Sequence, residues 1–134
     1  MSNANVTLVQ SLYAAFGKGD IKTITDALTP DVQWHSGGRA EDYPGFGARK
    51  GPKAVEEFFK IVAENNEFHH FSPREFYPVE DKVFVLGEYA MTLKKSGKAY
   101  ESDWCHVFTI RGGKVTKFRE FLDTAKAAEA FRVG

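Results

Sequence analysis

Two spacings divide the chain. In its first half, apolar residues recur every three or four positions: Leu8, Val9, Leu12, Tyr13 and Phe16, then Ile21, Ile24 and Leu28, then Val55, Phe58, Phe59 and Val62. That period gathers them on one stripe of an α-helix. An Asn-rich start supplies an N-cap for the first helix and Gly17-Lys18-Gly19 ends it. Asp20 caps the second, and Thr29-Pro30-Asp31 stops it because proline disfavours helical geometry in the residue before it. Gly51-Pro52, with Glu56 and Glu57 following, opens the third. Val32, Trp34 and Ser36 alternate with Gln33 and His35 as a first strand. From Glu67 the period becomes two over roughly 67–78, 82–95, 98–111 and 114–122, with turn signals at Glu80-Asp81, Ser96-Gly97 and Gly112-Gly113. This predicts an antiparallel meander, followed by a short helix over TAKAAEAF that Asp123 caps. The stretch GGRAEDYPGFGARKGP holds five of the twelve glycines and two prolines, and reads as a loop.

Helices followed by antiparallel strands make an α+β domain whose helices cover one face of a curved sheet, leaving a cavity on the hollow side. A length of 134 residues suits one domain, 1–134, with no repeat or linker. Lys plus Arg equals Asp plus Glu, 18 each, so the positive excess that nucleic-acid binding relies on is missing. The longest apolar run, VFVLG, falls far short of the ~20 residues of a membrane span. A single cysteine and a polar start point to a reducing, cytoplasmic home. No His-x-His, His-Glu-x-x-His, cysteine cluster or phosphate-binding glycine loop is present, so no metal and no cofactor is expected. Aromatics are the anomaly: 12 Phe, 5 Tyr and 2 Trp suit either a thick core or the walls of an apolar pocket.

Candidate chemistry centres on Glu120. In the last strand Thr116, Phe118, Glu120 and Leu122 share one face, while Lys117 and Arg119 point away. A carboxylate on an apolar face is desolvated, which raises its pKa toward the range useful for acid-base work. The alternative is a residue that reaches solvent at a sheet edge. Asp103 shares a face with Cys105 and Val107 and is the second candidate carboxylate. His106 falls instead with Trp104, Phe108 and Ile110, a face that reads as a dimer surface if the other lines the cavity. Residues 83–93 and 104–110 are apolar on both faces, which predicts a homodimer through the outer face of the sheet. The loop 37–51, with Tyr43 and Phe46, is expected to gate the pocket.

LVQSLYAAFGKGDIKTITDALTPDVQWH, YPGFGARKGPKAVEEFF and HVFTIRGGKVTKFREFLDT resemble the SnoaL-like branch of the superfamily that includes nuclear transport factor two, ketosteroid isomerases, limonene epoxide hydrolases and polyketide cyclases. The resemblance implies a cone-shaped, strongly curved, mixed but mostly antiparallel sheet with N-terminal helices over its concave face, a cystatin-like α+β barrel. It also implies a small apolar ligand, no cofactor, and an isomerase, cyclase or hydrolase type of acid-base enzyme, or else a non-catalytic binding or dimerisation module of the same fold. Ketosteroid isomerases use a first-helix Tyr, matched by Tyr13 or by Leu12. Their strand-one Asp falls at about Ser36 and their later Asp at about Cys105, so neither carboxylate is matched. Limonene epoxide hydrolases place their last Asp where Glu120 stands, but their Arg and first Asp fall near Tyr89 and Met91. For polyketide cyclases the stand-ins are Asp103, Glu120 and His35. The expected catalytic set is Glu120, Asp103 and Tyr13. The expected substrate-binding set is Trp34, Ser36, Tyr43, Phe46, Phe59, Tyr89, Met91, Cys105, Phe118 and Leu122.

Overall fold

A computed structural model describes residues 3–133, so Met1, Ser2 and Gly134 of the expected 1–134 domain lie outside the described residues. The elements run α1 (Ala4–Gly17), α2 (Ile21–Asp26), β1 (Leu28–Ser36), β2 (Gly47–Lys50), α3 (Pro52–Asn65), β3 (Asn66–Val79), β4 (Lys82–Leu93), β5 (Ala99–Arg111), β6 (Lys114–Leu122) and α4 (Thr124–Phe131). Local chemistry sets the ends. The Asn3 side chain accepts from the amides of Asn5 and Val6 at the start of α1, and Asp20 and Asp123 do the same for α2 and α4. Proline at the first turn opens α3.

The strands form one six-stranded sheet in the order β2-β1-β6-β5-β4-β3, antiparallel throughout except that β1 runs parallel to β6. The sheet is mixed and does not close on itself. Helices α1 and α3 lie across its inner face, and Val9, Leu12, Val55 and Phe58 pack there against Val83, Val85, Ile110 and Val115. Two expectations are corrected here. Helix α2 stops at Asp26, and Leu28 belongs to β1, paired with Val115; Pro30 sits inside the strand, where its fixed φ suits extended backbone and the ladder is interrupted between Leu28 and Gln33. The segment 37–51 is not all loop: Gly47–Lys50 is a short edge strand paired with Gln33–Ser36, four residues too brief to show a period.

Inner and outer faces separate cleanly along β5, where Ser102, Trp104, His106, Phe108 and Ile110 are buried and the intervening residues are not. At the β5–β6 turn, Gly112 and Gly113 both take positive φ, 58° and 77°, the tight hairpin geometry glycine permits. Arg111 then pairs with Lys114 and Ile110 with Val115, but Thr109 pairs with Lys117. Thr116 is therefore a bulge residue, its hydroxyl turned back to donate to the Thr109 carbonyl at 3.3 Å. Beyond it the pairing is offset by one residue, and His106, not Cys105, stands opposite Glu120.

Candidate active site

That offset builds the site. His106 on β5, Glu120 on β6 and Ser36 on β1 are register neighbours, so three polar side chains cross the inner face in one row. Glu120 is only 9% exposed. The Ser36 hydroxyl donates to its Oε1 at 2.6 Å, His106 Nε2–H donates to its Oε2 at 2.8 Å, and the Tyr89 hydroxyl lies at 3.5 Å from Oε2. From α1, the Tyr13 hydroxyl sits 2.6 Å from His106 Nδ1. Tyr13, His106 and Glu120 thus form a continuous hydrogen-bonded chain from helix to sheet.

Packing fixes the imidazole between its two partners. Trp104 stacks on one face of His106 with ring centres 3.9 Å apart, and Phe118 meets it edge-on at 4.9 Å. The Trp104 ring in turn lies across β4 at Gly87, where a Cβ would come within 2.4 Å of it. No side chain but hydrogen fits beneath that indole.

The chain borders an aromatic cavity of about 90 Å³. Helices α1 and α3 supply Leu12, Tyr13, Phe16, Phe58, Phe59 and Val62; the sheet supplies Trp34, Ser36, Tyr89, Met91, Tyr100, Phe108, Phe118 and Leu122, besides His106 and Glu120. Phe68 and Phe71 of β3 close one side, and Tyr43 and Phe46 of the segment 37–51 close another. Trp34 stacks on Phe118, its neighbour across the parallel pair, at 4.0 Å. The Tyr43 hydroxyl donates to Asn66 Oδ1 at 2.7 Å, and Asn66 also lines the cavity.

Two expected site residues are elsewhere. Asp103 is exposed on the outer face of β5, and Cys105, half-buried on the same face, does not border the cavity. Alternation leaves no choice once Trp104 and His106 face inward. His106 itself, expected on a dimer surface, is the residue that joins Tyr13 to Glu120. His35 points outward beside Arg119; burial, then the Arg119 charge, hold its pKa below the ordinary value. Among the described residues no group of three or more His, Cys, Asp or Glu side chains is placed to hold a metal ion. No helix in them is long and apolar enough to cross a membrane.

The electrostatics of Glu120 also correct an expectation. Burial pushes its pKa up, but the hydrogen bond and charge of His106 and the hydrogen bonds from Ser36 and Tyr89 together outweigh it, leaving the carboxyl below its ordinary value. The expectation of a raised value rested on desolvation alone, without the partners a single strand cannot reveal. Tyr13 and Tyr89 move the other way, well above the usual phenol value, through burial first and the Glu120 charge second. Glu120 is therefore an acceptor and Tyr13 a phenol. The imidazole of His106 bridges the two, Nε2 to the Glu120 carboxylate and Nδ1 to the Tyr13 hydroxyl.

Residues 9–118 match the SnoaL-like domain, and the chain belongs to that family. An NTF2-like protein from Burkholderia xenovorans LB400 has the same fold at 30% identity, with 98% of each chain covered and a TM-score of 0.89. A structure of TerC co-crystallised with polyporic acid matches at 28% identity over 96% of this chain and 98% of that one, with a TM-score of 0.85. An uncharacterised protein of Mycobacterium tuberculosis (strain H37Rv) is 24% identical over 129 residues, 96% of each chain. The expected cone-like α+β architecture is thus the family's.

Proposed function

We propose that residues 1–134 form one SnoaL-like domain that binds a small, largely apolar molecule in the aromatic cavity and acts on it by cofactor-independent acid-base chemistry, of an isomerase, cyclase or hydrolase type. The observation that carries this reading is the Tyr13–His106–Glu120–Ser36 chain on the wall of a mainly aromatic cavity. Tyr13 is the group that meets the ligand and Glu120 the terminal proton acceptor, with His106 between them. The similar structure of TerC co-crystallised with polyporic acid supports a small organic ligand.

The test is solvent-proton exchange into carbon acids next to a carbonyl, followed by NMR across a panel of cyclic ketones. Glu120→Gln and Tyr13→Phe are each expected to slow exchange at least about a hundredfold, the scale of a lost acid-base group. Full exchange in both variants refutes the assignment. A second reading has its own support: Glu120 already holds three partners and its proton affinity is lowered, which suits a structural anchor in a binding module. Ligands that bind without any exchange above the buffer rate favour that reading.

The assembly proposed is a homodimer through the outer sheet face, in a reducing compartment where Cys105 stays a free thiol. Leu86 and Phe121 are exposed there, in one row with the half-buried Cys105, and Phe84 and Val107 continue the patch. A monomer by sedimentation at micromolar concentration refutes it; Phe121→Glu is expected to split a dimer.

A further inference from the structure

The polar groups around the cavity leave a one-sided remainder. The Glu120 oxygens receive Ser36, His106 and Tyr89; His106 Nδ1 pairs with Tyr13; the Tyr100 hydroxyl pairs with Tyr89. Asn66 is different. Its Oδ1 accepts from Tyr43, which fixes how the carboxamide sits, and its Nδ2 finds only the Met91 thioether, at 3.1 Å. A thioether is a weak acceptor, and the amide nitrogen has two hydrogens to place. The unspent capacity at this wall is therefore donor capacity, and a guest that complements it brings an acceptor.

Charge narrows the guest further. Among the described residues no Lys or Arg lines the cavity, while Glu120 does, so an anionic ligand finds no counter-ion there. Volume favours a small guest: about 90 Å³ is below the roughly 150 Å³ of an apolar cavity that accepts benzene, so one small ring is the natural fit.

We infer that the ligand is an uncharged single-ring molecule bearing a carbonyl-type oxygen, and that Asn66, oriented by Tyr43, is the specificity-determining residue that donates to that oxygen. This rests on the reading of the cavity as a ligand site but not on catalysis. A ketone-like guest placed between the Asn66 amide and the Tyr13–His106–Glu120 chain is activated at one end and deprotonated at the other.

The experiment titrates three probes of one shape into the protein: cyclopentanone, methylenecyclopentane and cyclopentanecarboxylate. Affinities come from NMR, with the Asn66 side-chain amide as a local reporter. Cyclopentanone is expected to bind roughly fivefold tighter than methylenecyclopentane, the scale of one net hydrogen bond, and the carboxylate weakest. The double variant Tyr43→Phe/Asn66→Leu removes both partners and strands no polar group. In it the ketone is expected to fall to the level of the hydrocarbon measured in the same variant. If that variant fails to fold, Asn66→Asp gives the same test, since an acceptor-only side chain also abolishes the ketone preference. Survival of the preference in whichever variant folds, tightest binding by the carboxylate, or no binding of any probe at millimolar concentration overturns the inference. Because binding is read without turnover, a parent protein with no ketone preference, or a preference that survives in the variant, alongside Glu120-dependent exchange sinks this inference alone. A preference that the parent shows and the variant loses, with exchange indifferent to Glu120, sinks only the acid-base reading.

Discussion

Replacing His106 by Phe tests the pairing on which the candidate site depends. A phenyl ring keeps the flat surface between Trp104 and Phe118 but removes the 2.8 Å bond to Glu120 and the acceptor for Tyr13. In a Tyr13→Phe background the second loss is cancelled, and the added cost is that of a buried carboxylate deprived of its main partner. Its lower bound is about 1.5–3 kcal/mol for a hydrogen bond to a charged group, and its upper range about 3–5 kcal/mol for half of a buried ion pair. At about 4 °C per kcal/mol for a domain of this size, 3 kcal/mol lowers Tm by roughly 12 °C. The pH dependence identifies the cause. With His106 present the folded pKa of Glu120 is depressed, so its contribution is present above the unfolded value near 4.3 and lost as pH falls through the folded value. Without His106, burial is opposed only by Ser36 and the long Tyr89 bond, so the folded pKa rises above 4.3. Stability is then greatest in acid and lost as pH rises through that value. Urea unfolding from pH 7.5 to 5 should show the gap between the two proteins narrowing by about 1.4 kcal/mol per unit of pKa difference. Adding Glu120→Gln should recover much of the loss at neutral pH. An unchanged gap across pH, or no recovery in the further variant, refutes the account.

Three other outcomes follow from the same geometry. Gly87→Ala drives a methyl against the Trp104 ring, 2.4 Å away, and the Ser72 carbonyl, 2.6 Å away; urea unfolding should show a loss of about 1–3 kcal/mol, and a loss below 0.5 kcal/mol would contradict the packing described. Since the Trp104 indole N–H has no hydrogen-bond partner among the described residues, packing holds that ring, and its displacement should also shift the His106 imidazole resonances in NMR. Asp103→Asn and Cys105→Ser, on the outer face, should leave probe affinity and exchange within about twofold of the parent; a larger effect would mean that face reaches the cavity. The segment 37–51 is proposed as the gate through which a ligand enters, and its amides should exchange with deuterium faster than those of β4 and β5, while equal protection would rule it out.

Much of the architecture was legible because β4 and β5 keep a period of two between strong turn signals, and because α1 and α3 carry clear apolar stripes. The face of β5 was not. Trp104, His106, Phe108 and Ile110 are apolar enough to face inward, but Cys105 and Val107 on the other parity are nearly so. Counting outward from Arg111 and Lys114 without a bulge sets Cys105 opposite Glu120, and so hides His106. One trace of the bulge is visible in the chain: in Val-Thr-Lys-Phe, residues 115–118, two apolar positions are three apart, which a regular strand facing one core does not require. Tyr13, by contrast, was reachable from its helical stripe, and Asn66 gave no signal at all, being an isolated amide at the junction of α3 and β3.

The parallel pairing of β1 with β6 also dictates when the site comes into being. Ser36 and Glu120 are 84 positions apart, and the Gly37 amide donates to the Glu120 carbonyl at 3.0 Å, so one edge of the polar row waits for the last strand. At about 5–20 residues per second, a ribosome needs roughly 4–17 s to reach Glu120 after making Ser36. Throughout that interval Trp34 lacks its stacking partner Phe118, and the hollow side of the growing sheet has no floor. A nascent chain therefore has no cavity to offer. A ligand added during synthesis can stabilise only finished molecules, and ligand-dependent protection from protease should appear in one step, when β6 docks, not gradually with chain length.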